Sequence, residues 1–162
     1  MRPDNMPQGL PEGVTNRQFL FAMINALANR MQTMGDGLFE EFTWKQWFAL
    51  LGVNTFAEPP GIMEAAERIG TSHQNMKQLL IRLEKAGFVR LERDPLDRRR
   101  TLIRLTQENQ RIASKYALQA ADFLESMYEG ISEDDIAGAA STLIKVEKNL
   151  RRLAERGGED QA

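Results

Sequence analysis

The chain is 162 residues long and 42% hydrophobic, with 21 Lys/Arg against 23 Asp/Glu and a net charge of −2. That length suits one compact domain, or two small ones sharing a core, and the apolar content is enough to build it. The absence of cysteine excludes disulfides, thiolate metal sites and thiol redox sensing, and a single histidine, His73, excludes a multi-histidine metal centre.

Residues 1–14 hold three of the six prolines and two glycines, and predict a flexible arm. Just beyond it, FLFAMINALA (19–28) looks superficially like the apolar part of a targeting signal. Asn25 interrupts it, Asp4 and Glu12 spoil a basic leader, and it is too short to span a bilayer. The expectation is therefore a buried helix face in a cytoplasmic protein, with no membrane partner. Thr15 or Asn16 caps a first helix reaching about Met34, in which Phe19, Met23, Ala26, Leu27, Arg30, Met31 and Met34 follow a helical period before Gly35-Asp36-Gly37 ends it. A second helix starts at Thr43, with Gln46 as its capping-box partner, and carries Trp44, Trp47, Phe48, Leu50 and Leu51 up to the break at Pro59-Pro60-Gly61.

Residues 62–69 form a short helix closed by Gly70. Thr71 or Ser72 caps the next one, with Gln74 placed as a capping-box partner for Thr71, and that helix stops at Gly87. Residues 88–93 and 101–105 read as two strands joined by a turn over 94–100. Thr106 caps a long helix to about Glu129, with Ile112, Tyr116, Ala120, Phe123, Leu124 and Met127 along one side. Ser132, paired with Asp135, opens a last helix that carries Ile136, Ala140, Leu143, Ile144, Val146, Leu150 and Leu153 and gives way to a tail at Gly157-Gly158.

The near-neutral total hides an uneven distribution. From Arg68 to Arg104 there are ten Lys/Arg and four acids, a local +6; the remainder, with eleven and nineteen, stands at −8. A basic middle inside an acidic chain fits a nucleic-acid-facing element held away from an acidic body. Within it, Ala66, Gly70 and Met76 have the spacing of a helix, a tight turn and a steeply crossing second helix. That second helix leads with Ser72, His73, Gln74, Asn75, Lys77, Gln78 and Arg82. Asn and Gln pair with adenine, Lys and Arg with guanine, and recognition helices read DNA with their N-terminal end. A polar solvated face is the plainer explanation for any one of these residues. The strand pair then places Arg98, Arg99 and Arg100 consecutively at a turn whose nearest acids are Asp94 and Asp97, so the cations call for an external polyanion.

This combination resembles the MarR family of bacterial winged helix-turn-helix regulators over about residues 16–155. The likeness is sharpest in the helix end Leu83-Glu84-Lys85-Ala86-Gly87-Phe88-Val89, in Asp97-Arg98-Arg99, and in the strand exit Leu105-Thr106. It implies a mainly α fold with a small β-wing: an arm (1–14), an N-terminal dimerisation helix (15–37), a winged helix-turn-helix lobe (38–106), C-terminal dimerisation helices (107–156) and a flexible tail (157–162). It also implies that Arg99 enters the minor groove aimed by Asp97, that Arg98 and Arg100 hold phosphates or Arg98 shares the groove, and that two copies pair to bind a palindrome. Two departures concern detail: Gln107-Glu108-Asn109-Gln110 lacks a glycine many relatives carry, and Thr71 stands where an apolar residue often fills the turn.

Relatives often bind small aromatic acids or lipophilic compounds between the DNA-binding lobe and the dimer helices. Met23, Arg30, Met31, Met34, Trp44, Trp47 and Phe48 are the candidates for such a site, although aromatic and methionine stripes at helical spacing more often build a core. No Ser/His/Asp set, phosphate loop or metal cluster points to an enzyme, and no cofactor is implied. The expected function is a dimeric repressor of palindromic operators on double-stranded DNA, released by a small ligand. The alternative is a winged-helix protein–protein module.

Overall fold

The structure, a computed structural model, describes residues 13–159. They form six helices and one two-stranded antiparallel sheet in the order α1 (Asn16–Gly35), α2 (Trp44–Asn54), α3 (Ile62–Arg68), α4 (His73–Lys85), β1 (Val89–Arg93), β2 (Thr101–Leu105), α5 (Gln107–Met127) and α6 (Glu133–Glu159). Most of the predicted arm and residues 160–162 lie outside the described residues. The chain divides into two compact units, one ending at Ala117 and the other beginning at Leu118, within α5.

Local chemistry sets the helix starts. Thr15 and Gln18 exchange bonds at the head of α1, and Thr43 and Gln46 do the same for α2. Of the two candidates before α4, Ser72 is the cap. Its hydroxyl accepts from the Asn75 N–H at 3.2 Å, which puts Asn75 rather than Gln74 at the third helical position and removes the predicted Thr71–Gln74 box. Thr106 and Ser132 cap α5 and α6 through the amides of Asn109 and Asp135. The glycine pair at 157–158 does not end the last helix, which runs on to Glu159.

The ends of α3 and α4 share one device. Gly70 (φ +67°) and Gly87 (φ +84°) take the left-handed conformation that a Cβ disfavours. Beyond each, the chain turns back: Thr71 N–H bonds to Ala66 O at 3.0 Å, and Phe88 N–H to Leu83 O at 2.9 Å. The first reversal makes the tight turn between α3 and α4. The second aims the chain directly into β1 and buries Phe88.

The first unit's core joins α2, α3, α4, the sheet and the start of α5. Met76, Leu80 and Leu83 on one face of α4 meet Ala49, Leu50 and Val53 of α2, Ala65 and Ala66 of α3, Phe88 and Val89, Ile103 of β2, and Ile112 of α5. The small Ala65 and Ala66 let α3 cross α4 closely, as the Ala66–Gly70–Met76 spacing predicts. An aromatic cluster closes one end: Phe39 lies 4.7 Å from Phe42 and 5.1 Å edge-on from Tyr116, between ring centroids. Tyr116 Oη donates to Glu41 and accepts from the Glu40 N–H, and Lys115 Nζ donates to Glu41 at 2.8 Å. The α1–α2 turn is thereby fastened to α5.

In the second unit, Leu118 and Leu124 of α5, and Leu143, Ile144, Leu150 and Leu153 of α6, are exposed. In the first unit, Leu20, Phe21, Ile24 and Leu27 of α1 are exposed as well. Soluble single chains rarely leave whole apolar stripes uncovered.

Candidate nucleic-acid interface

Helix α4 divides its residues cleanly. Met76, Leu80 and Leu83 are buried, while Ser72, His73, Gln74, Asn75, Lys77, Gln78 and Arg82 are all exposed at its N-terminal end and outer face. Hydrophobic burial of one face thus holds the polar one in a fixed direction.

The wing pairs in the register Val89↔Leu105, Arg90↔Arg104, Leu91↔Ile103, Glu92↔Leu102 and Arg93↔Thr101. Val89 and Ile103 anchor it in the core. Arg90 and Arg104 stand directly opposite, and Glu92 offsets that like-charge pair with a 2.7 Å bond to Arg104 Nε. At the tip, Asp94 is buried and its Oδ1 accepts from the Leu96 N–H at 2.8 Å, fixing the turn. The wing is also tied to the head of α3: Ile103 N–H bonds to Pro60 O at 2.9 Å, and Gly61 bridges Leu102.

The three tip arginines are not equivalent. Arg99 is 94% exposed in its side chain, and its Nε lies 3.5 Å from Asp97 Oδ1. Arg98 is exposed, and its carbonyl accepts from Arg93 Nη1 at 3.1 Å. Arg100, the other expected phosphate contact, is 40% exposed and paired with two carboxylates. Its Nη2 lies 2.5 Å from Glu64 Oε2 and its Nη1 3.4 Å from Asp94 Oδ2. The missing partner in the sequence reading is Glu64, whose Oε2 also accepts from the Gly61 N–H at 2.6 Å. That hydrogen bond, with the Arg100 guanidinium beside it, holds the Glu64 carboxyl below its ordinary range. The signal was present in the sequence, since Gly61-Ile62-Met63-Glu64 has capping-box spacing, but the link to Arg100 crosses 36 positions.

Between wing and recognition helix lies a groove of about 530 Å³, lined by residues of the α3 head (Gly61 to Glu64), by His73 and Lys77 one turn apart on α4, and by Asp97, Arg99, Arg100 and Thr101. It gathers residues that are far apart in the sequence into one cation-bearing concavity.

The seven candidates for a small-molecule site are not brought together in this way. Trp44 packs across Gly35, where a Cβ would meet its ring at 1.9 Å. Trp47 lies 4.8 Å from Trp44 and 5.2 Å from Phe39 between ring centroids, in the aromatic cluster. The tryptophans therefore have a packing role. Met23 and Met31 are half-buried, and Arg30, Met34 and Phe48 are exposed. None of the seven lines the groove beside α4, nor a second one of about 780 Å³ at the α5–α6 turn. Among the described residues, no group of three or more His, Cys, Asp or Glu could hold a metal ion, and no helix is long and apolar enough to cross a membrane.

Comparison with known proteins gives the arrangement a family. The MarR family model matches residues 42–100, from the head of α2 to the wing tip. The chain is 30% identical over 112 residues to the uncharacterized HTH-type transcriptional regulator YsmB of Bacillus subtilis (strain 168), covering 69% of this chain and 73% of the relative. The chain belongs to the MarR family.

Solved structures agree in fold. A MarR/EmrR family transcriptional regulator from Acinetobacter sp. ADP1 superposes with a TM-score of 0.75 at 15% identity, over 86% of this chain and 99% of that one. BpsR of Bordetella bronchiseptica, solved to explain the regulation of its DNA binding by 6-hydroxynicotinic acid, superposes with a TM-score of 0.61 at 16% identity, over 76% and 98%. In MarR-family terms α3 and α4 are the helix-turn-helix and β1–β2 the wing.

Proposed function

We propose that this MarR-family protein is a sequence-specific regulator of double-stranded DNA, acting as a homodimeric repressor of palindromic operators in the cytoplasm. The observation that carries the reading is the groove shared by His73 and Lys77 of α4 and Arg99 of the wing. A helix N-terminus suits base edges in the major groove, and an extended guanidinium suits the narrow, negative minor groove alongside. Gln74, Asn75, Gln78 and Arg82 would read bases or phosphates from α4, with Ser72 at its cap; Arg98 would add a phosphate contact.

The exposed stripes of α1, and of α5 and α6, support pairing of two copies, because each would otherwise leave apolar side chains in water. A two-fold dimer would set two α4 helices about one DNA turn apart. BpsR's regulation by 6-hydroxynicotinic acid supports release by a small aromatic acid, for which Arg30 and the residues around Trp44 and Phe48 remain the proposed site once a second copy is present. No observation favours the protein–protein alternative.

The test is selection of duplexes from a random-sequence pool by the purified protein, followed by a salt titration. An enriched palindrome whose binding weakens about tenfold or more between low and physiological salt supports the reading. Failure to enrich any duplex, with equal weak binding by wild type and Arg99→Ala at low salt, overturns it.

A further inference from the structure

We propose that Arg100 is the positioning residue of the wing: tied to Glu64 at the head of α3, it sets the height of Arg99 above the recognition helix and does not itself bind phosphate. The inference rests on the DNA-binding reading above and deepens it.

Three observations converge on the tie. The Arg100 guanidinium divides between two carboxylates, 2.5 Å from Glu64 and 3.4 Å from Asp94. Glu64 is itself fixed by the Gly61 N–H at 2.6 Å, so the anchor belongs to the α3 N-terminus and not to a free side chain. A Cβ at Gly61 would lie 2.9 Å from Arg100 Nε, so the guanidinium lies against bare backbone where other residues would push it away. The backbone contacts Pro60–Ile103 and Gly61–Leu102 fix the base of the wing, and the Arg100 link extends that attachment to its tip.

Half-exposed ion pairs add little to global stability. A link across 36 residues can still select one orientation of a hairpin whose other tip contacts are local. Arginine suits the task because its fork reaches two carboxylates at once, which a lysine ammonium on a flexible stem does not reproduce.

The deciding variant is Glu64→Gln. Glutamine keeps an acceptor for the Gly61 N–H and preserves the helix start, but gives up the charged partner. Removing a negative charge beside DNA should by charge alone tighten binding. A positioning role predicts the opposite sign: about three- to tenfold weaker binding to the duplex selected by wild type, with an unchanged salt slope and an unchanged melting temperature. Arg100→Lys, which keeps the charge, should lose a similar factor. If Glu64→Gln binds as tightly as wild type or tighter, or Arg100→Lys binds like wild type, Arg100 is an ordinary phosphate contact and the proposal is wrong.

A second readout needs no DNA. In the free protein, Glu64→Gln should speed amide hydrogen exchange at Asp94, Arg100 and Ile103, whose N–H groups bond to Arg100, Asp97 and Pro60 carbonyls. Unchanged exchange at all three overturns the tie. If wild type selects no duplex at all, the regulator reading falls by itself, and the exchange rates still decide whether Glu64 holds the wing.

Discussion

Asp97 Oδ1 accepts twice from Arg99, from its backbone N–H at 3.0 Å and from its guanidinium Nε at 3.5 Å. The first bond fixes the carboxylate to the turn. The second is long, between a 94% exposed guanidinium and a half-exposed carboxylate, and leaves the charge of Arg99 largely unneutralised.

Arg99→Ala should therefore cost specific DNA binding about 1–3 kcal/mol and lower the salt slope by about one unit. Asp97→Asn keeps an oxygen for both donors and should retain specific affinity while binding non-specific duplex more tightly. Asp97→Ala loses the same charge and should tighten non-specific binding alike, but it also loses the turn bond and should lose specific affinity. Fluorescence anisotropy against a selected and a scrambled duplex separates the three. Equal specific affinities for Asp97→Ala and Asp97→Asn would show that Asp97 does not orient Arg99.

Much of the fold was legible because its signals are local. Thr15/Gln18, Thr43/Gln46 and the glycines at 70 and 87 each mark a helix boundary within a few residues of chain. Two neighbours with similar chemistry left the cap before α4 open between Thr71 and Ser72, and a weak breaker was outweighed at Gly157-Gly158 in α6. The Arg100–Glu64 contact was not legible, because Glu64 is brought near only by the packing of α3 against the sheet. Trp44 and Trp47 illustrate a different limit: helical spacing cannot say whether an aromatic ring faces a core or a ligand, and both rings are partly buried against the core.

Gly87 provides a clean test of how the wing is launched. Its φ is +84°, and a Cβ there would meet nothing within 4 Å, so any cost of adding one is conformational. Gly87→Ala should destabilise the protein by about 1–2 kcal/mol in urea unfolding. Gly87→Asn should cost less, because asparagine tolerates the left-handed region. Destabilisation of Ala and Asn variants in the reverse order would locate the strain elsewhere.

Tyr116 joins α5 to the α1–α2 turn through one hydroxyl that donates to Glu41 and accepts from the Glu40 N–H. Tyr116→Phe keeps the ring in the aromatic cluster and removes only those bonds. It should cost about 1–2 kcal/mol and lower the melting temperature by about 2–8 °C. Calorimetry reads this directly, and an unchanged melting temperature would mean the hydroxyl is as well served by water.

The proposed homodimer makes separable predictions for the two units. Phe21 of α1 is 72% exposed and Leu150 of α6 is 60% exposed in the single chain. Phe21→Glu and Leu150→Glu should leave the single-chain core intact, yet shift sedimentation from dimer toward monomer at micromolar concentration and weaken binding to a full palindrome more than to a half-site. If both variants sediment as wild type does, neither stripe is an interface between copies.

The Lys115–Glu41 contact sets a pH window. The hydrogen bond from Lys115, seconded by Tyr116, holds the Glu41 carboxyl below its ordinary 4.5, and the same bond to Glu41 raises the Lys115 ammonium above its ordinary 10.5. A lowered carboxyl stabilises the fold above its ordinary value, and that contribution is lost as pH falls through the folded value. A raised ammonium stabilises below its ordinary value, and its contribution is lost as pH rises through the folded one. The contact is therefore at full strength between about 4.5 and 10.5 and fades at both ends. Both groups are solvent-accessible, so the effect is small and best seen as a difference. In urea unfolding, the gap between wild type and Glu41→Gln should be constant from pH 6 to 8 and should close as the pH is taken well below 4.5. A gap that persists undiminished in acid would assign the stabilisation to the shape of the side chain and not to its charge.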